Sequence, residues 1–175
     1  MAGSLIKIDE EIVTSAVASV TLTGIDSTYD VYMVKANNVI PVTDATFLYS
    51  RFTVSGSPDS SSNYDKATKK LRTDTTFSNI SSTNQDHLRI SSAGIGTGTS
   101  ETDNIILYLF NFNNSSEYSF VTIEESMLSN TAGLRGDMGG GVLTVAQACD
   151  GIQFFMSSGN IDTGSSFTLY GLKKS

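Results

Sequence analysis

The chain has 175 residues, a formal net charge of −7 and a pI of about 4.5. That length fits one domain whose core needs no staples, and the acidity argues against a protein that wraps nucleic acid, since such contacts are dominated by Lys and Arg against phosphate. The single cysteine, Cys149, excludes an internal disulfide and a thiolate metal site, and 46 Ser or Thr residues in a chain only 17% charged suit strands better than helices.

In chain order, Met1 to Glu11 lack the basic start and long apolar run of a secretory signal. Residues 1–15 are expected to form an N-terminal arm or a first short strand, with Leu5 to Ile8 as its candidate, and residues 16–175 a single β-sandwich domain. Val17 to Thr23 reads as a strand, and period-two alternation continues in Tyr29 to Ala36 and Thr46 to Val54. Phe77 to Ile80 and Leu88 to Ser91 are shorter candidates. Ile105 to Phe112, Tyr118 to Glu124, Gly141 to Val145, Ile152 to Met156 and Phe167 to Leu172 follow, bounded by Gly, Asn, Asp or Ser. Leu143 to Ala148 and Glu124 to Asn130 admit a helical reading but are too short for a strong amphipathic helix. Eight to ten short strands predict an all-β, jelly-roll-like antiparallel sandwich.

Three segments read as long loops: Ser55 to Thr76, with the basic cluster Lys66, Lys69, Lys70 and Arg72; Ser92 to Asn104; and Ser129 to Gly141, with five glycines. The longest apolar run, Ile105 to Phe110, falls far short of the roughly 20 residues of a membrane span.

The chemistry-bearing residues do not assemble into a catalytic pattern. His87, the only histidine, follows Asp86, but no Gly-x-Ser-x-Gly elbow singles out a nucleophile. Glu124 and Glu125 are adjacent, so in a strand they point to opposite faces and cannot converge on a glycosidic bond; their expected role, like that of Asp9-Glu10-Glu11 and Glu101-Thr102-Asp103, is solubility. Asp59 with Asp65, or Asp103 with Asn104, offer oxygen ligands without the regular calcium-loop spacing. Gly94 to Gly98 lacks the Lys-Ser/Thr and the helix of a phosphate loop and reads as a flexible loop. Arg135-Gly136-Asp137 reads as a coincidence in a glycine-rich loop, and the sequons at Asn79, Asn113 and Asn114 carry no meaning without a secretory route. Most tyrosines lie on expected strands and belong to core or interface; Tyr64, in the first long loop, is the candidate for ligand contact. No catalytic, metal or cofactor-binding residue is expected, and no enzymatic activity.

Two stretches together resemble a known group. One is Gly24-Ile25-Asp26-Ser27-Thr28-Tyr29-Asp30-Val31-Tyr32, continuing through Asn37-Asn38-Val39-Ile40-Pro41-Val42-Thr43-Asp44 to Leu48; the other is Ser157 to Ile161 with Gly164 and Phe167-Thr168-Leu169-Tyr170-Gly171-Leu172. The pairing resembles small virion structural proteins of marine tailed bacteriophages. It covers about a third of the chain, at its two ends. The resemblance implies a jelly-roll-like virion component, present in many copies and often trimeric, assembled in the host cytoplasm, with no functional residue to carry over. On that reading Pro41 and Asp44 place a turn between two strands, and Gly171 ends the last strand against a neighbouring backbone. The expected role is decoration or cementing of the head through the major capsid protein or other virion proteins, as a homotrimer. The alternative is a tail fibre or appendage module that recognises host-surface glycans.

Overall fold

The computed structural model describes residues 4–74 and 76–172. Among these residues there are thirteen strands and no helix: β1 Leu5–Ile12, β2 Ser19–Thr23, β3 Val31–Val39, β4 Leu48–Val54, β5 Ser57–Pro58, β6 Tyr64–Arg72, β7 Ser78–Gln85, β8 Leu88–Arg89, β9 Asp103–Phe110, β10 Ser119–Leu128, β11 Leu134–Leu143, β12 Gly151–Met156 and β13 Ser166–Leu172. Alternation places the strands. In β10, Ser119, Val121, Ile123, Glu125 and Met127 are buried while Phe120, Thr122, Glu124 and Ser126 are exposed, the period-two pattern of a sheet with one covered face.

The strands form two antiparallel sheets: one of eight in the order β1-β13-β3-β9-β10-β11-β6-β7, and one in the order β2-β12-β4-β5, with β8 also on β4. Eight strands carry a jelly-roll skeleton. Counting β1, β2, β3, β4, β8, β9, β12 and β13 as first to eighth, first pairs with last (β1 with β13), second with seventh (β2 with β12), third with sixth (β3 with β9) and fourth with fifth (β4 with β8), all antiparallel. The remaining strands enter as two insertions, β5–β7 between β4 and β8, and β10–β11 between β9 and β12. The insertions meet where β11 pairs with β6 over nine residues, so they widen one sheet of the sandwich.

The core lies between the sheets. Phe154 of β12 stacks on Phe167 of β13 across the layers at 5.1 Å, and Phe52 packs on Phe112 at 4.4 Å and edge-on to Tyr64 at 5.4 Å. All five are almost fully buried; truncating such a ring costs about 3–5 kcal/mol.

Several expectations are revised. Leu5–Ile12 is a strand hydrogen-bonded along β13, so the first short strand, rather than a free arm, describes the start of the described chain; residues 1–3 lie outside it. Its exposed edge carries Lys7, Asp9, Glu10 and Glu11 and an irregularity between Lys7 and Asp9, devices that discourage further pairing. The expected loop 55–76 contains β5 and β6, and most of the expected loop 129–141 is β11. The polar and glycine-rich composition of β6 and β11 hides strands that are paired on both sides. Glu124 to Leu128 is strand, not helix. Pro41 and Asp44 do lie in the turn region between β3 and β4, and Pro41 bridges to Ile161. Gly171 is small for a different neighbour: a Cβ there would run into the ring of Tyr29, a side chain and not a backbone.

Candidate functional site

Three regions collect polar or aromatic side chains. The first lies under the widened part of the large sheet. There the covering layer is the short β8 and the segment after it rather than the apolar β2, β12 and β4, and β6, β9, β10 and β11 each turn a charged side chain inward, Lys66, Asp103, Glu125 and Asp137. Lys66 Nζ bonds Asp137 Oδ2 at 2.6 Å and the Arg89 carbonyl at 2.7 Å, with both ionic side chains essentially unexposed. Glu125 Oε1 accepts from the Ser92 N–H at 2.7 Å. Asp103 is fully buried and stands diagonally from Glu125 on the inward face, since Met127 is its direct partner. Arg89 lies over the Phe47 ring at 4.0 Å and donates to the carbonyls of Ser91 and Ser92.

Burial, followed by repulsion from Glu125, pushes the Asp103 carboxyl well above the usual carboxylate range, and burial raises Glu125 too. Burial lowers Lys66, with Asp137 only partly opposing it. Asp103 Oδ1 and Oδ2, Glu125 Oε2 and Asp137 Oδ1 have no hydrogen-bond partner among the described residues. A proton held by the Asp103–Glu125 pair removes most of the charge that burial penalises. The described residues hold no grouping of three or more His, Cys, Asp or Glu suited to a metal ion.

The second region is the outer face of the five-stranded sheet. His87 stacks on Tyr49 at 3.9 Å, and its Nδ1 lies 2.6 Å from Asp86 Oδ1. Asp86 also receives Arg51 Nη2 at 2.5 Å, and Arg51 covers the Phe155 ring at 4.8 Å. The histidine is thus packed as part of an aromatic and cationic platform, and no serine hydroxyl hydrogen-bonds to it among the described residues. The third region is the outer face of the eight-stranded sheet. Cross-strand rows run Val31–Phe110–Phe120–Val142 and Met33–Tyr108–Thr122–Gly140–Ala67–Ser81, placing aromatic and thioether groups on the side away from the core. Gly140 and Ala67 leave a trough of about 620 Å³ beside Phe120 and Val142.

Glu124 and Glu125 do point to opposite faces, but Glu125 is 7% exposed and tied to the interior network, so solubility describes Glu124 alone. Asp103 is likewise interior. Glu101 accepts from the Gly98 N–H at 2.9 Å, and a Cβ on Gly96 would strike its carboxylate. The glycine segment 94–98 therefore wraps a carboxylate of its own chain. It is pinned by buried Ile95, which bridges to Thr46 and Ser129, and is no free loop. Asp59 and Asp65 are not brought together: Asp59 receives the Ser61 N–H and Gln147, and Asp65 the Asn84 N–H. Asn104 Oδ1 accepts from the Asn38 N–H at 3.0 Å. Tyr64 is a core residue, wholly buried; its hydroxyl donates to the Asp59 carbonyl and accepts from the Phe52 N–H, both at 3.0 Å, and so it is not a ligand contact. Arg135 and Asp137 lie in a strand and are buried, so the tripeptide is not displayed in a loop.

Sequence reasoning missed the ionic network. The signal was the phase of the alternation: Glu125 follows Val121 and Ile123 at even spacing, and Lys66 stands between Tyr64 and Thr68. Both occupy inward positions once their segments are strands.

Compared with protein-family models, curated proteins and solved structures, the chain finds no match. Its geometry therefore carries the functional argument.

Proposed function

We propose that the chain is a structural component of a tailed-bacteriophage virion, a decoration or cement protein on the head surface that acts as a homotrimer and contacts the major capsid protein or other virion proteins. The observation that carries this reading is the outer face of the eight-stranded sheet. Two insertions broaden one layer of a jelly roll into a plate whose far side displays Phe120 at 44%, Met138 at 52% and Ile106 at 36% exposure. A fold that spends nine paired residues on joining its insertions, and leaves apolar groups on the resulting face, is built to make contacts. The terminal segments that resemble virion proteins form the frame of that plate, as β3 and β13 are neighbours in it.

A tail-appendage reading draws on the second sheet, where Ser19, Thr21 and Gln153 lie beside Phe155 and present hydroxyl and amide groups of the kind sugars bind. Fractionation of disrupted phage particles separates the two. A decoration protein co-sediments with DNA-filled heads and is released from them without loss of tails; a chain recovered with tails transfers the proposal to the appendage, and a chain absent from both fractions refutes a virion role.

A further inference from the structure

We propose that the outer face of the eight-stranded sheet is a self-association surface whose occupant is another copy of this chain. The inference rests on the self-association proposed above and adds a surface to it: a face that two copies share closes as a two-fold pair, so this contact joins single chains, or trimers, in twos.

Three observations favour a second copy over an unrelated partner. The first is charge. Six ionisable side chains are placed by strand register on this face: Lys7, Lys35 and Lys69 against Glu10, Glu124 and Asp65. They sum to zero in a chain whose net charge is −7, so the acidic excess lies elsewhere and this is a surface two copies can share without like-charge repulsion. Lys35 and Glu124 flank Ile106 in one cross-strand row, a base and an acid on either side of an apolar contact.

The second is composition. Apolar groups predominate in the middle of the face, on β3, β9, β10 and β11, where Lys35 and Glu124 are the charged side chains and flank Ile106 with opposite sign, while Lys7, Glu10 and Lys69 lie toward its margins. Phe120 stands beside the trough left by Gly140 and Ala67, so the surface has both a projecting ring and a recess.

The third is area. Eight strands about 4.8 Å apart and about 25 Å long give a face of roughly 840 Å², comparable with the roughly 800 Å² per partner of a standard stable interface.

The test is the molar mass of the purified chain by size-exclusion chromatography with light scattering, for wild type, Phe120→Glu, Lys35→Glu and the control Val42→Glu, which changes an equally exposed side chain outside the sheet. The expected result is a wild-type mass of two copies of 18.7 kDa, or of six where a trimer forms as well, retained by Val42→Glu, halved by Phe120→Glu and requiring a higher protein concentration to form in Lys35→Glu. Circular dichroism melts of each variant establish that it is folded; if Phe120→Glu unfolds, Lys35→Glu decides. A monomeric wild type at about 100 μM, where even a weak standard interface is populated, overturns the inference while leaving association with virions to be tested separately by particle fractionation. An oligomer indifferent to both substitutions on the face also overturns it.

Discussion

Replacing Asp103 by asparagine tests the interior electrostatics of the widened sheet. Asp103 is fully buried at the start of β9, has no side-chain donor to either oxygen among the described residues, and stands diagonally from Glu125. The pair retains a proton that the unfolded chain, with carboxyl pKa values of about 4, releases. Because the folded pKa is raised, the associated stability is complete below the unfolded pKa and is lost as pH rises through the folded value. One retained proton corresponds to about 1.4 kcal/mol lost per pH unit across that window. The introduced carboxamide has no proton to release, and its NH₂ group supplies the donor that Glu125 Oε2 lacks. Urea unfolding followed by circular dichroism from about pH 4.5 to about pH 8.5 is expected to show Asp103→Asn gaining on wild type as pH rises, by at most about 1.4 kcal/mol per pH unit and only until the pair releases its proton, and becoming the more stable protein at the alkaline end. Parallel curves for the two proteins, or a variant less stable throughout, would refute the shared-proton account.

Lys66→Met strands Asp137 in the interior and is expected to cost about 3–5 kcal/mol in urea unfolding, most of it recovered by the double change Lys66→Met with Asp137→Leu. Tyr64→Phe removes the hydroxyl that serves both Phe52 and Asp59 and should cost about 1–3 kcal/mol while leaving any association between copies unchanged, which the same unfolding curves and a light-scattering mass will check. Cys149 is buried, and desolvation pushes its thiol up to about 11. Thiol titration at about pH 8, near the pKa of a free thiol, is therefore expected to find it unreactive in the folded protein and stoichiometrically reactive in denaturant.

How far the sequence revealed this architecture depended on what each strand buries. β3, β4, β9, β12 and β13 carry alternating or continuous apolar runs and are legible within a few residues, as are the sandwich class and its antiparallel character. β6 is not, and β7 and β11 are legible only at one end, where the candidates Phe77 to Ile80 and Gly141 to Val145 overlap them. Ser78–Gln85 contains one aliphatic residue, and Leu134–Leu143 contains four glycines. Their strand character comes from tertiary pairing, which overrides weak local propensity. Gly141 illustrates the cause: a Cβ there would collide with Leu88, so the glycine that reads as a loop residue is the space into which β8 packs. The interior charges followed the same error, because Lys66 and Asp137 look solvated only while their segments are taken for loops. The apolar outer face was equally hidden. Phe120, Ile106 and Met138 are far apart in sequence and become one surface only through the register of β9, β10 and β11.

The most direct test of the central claim is cryo-electron imaging of intact particles that carry this protein, with antibody or gold labelling to identify it. Regular density over the head, at positions that fit a symmetric assembly of the chain, is the predicted result. Label confined to the tail, or particles without the protein, would contradict a head-decoration role.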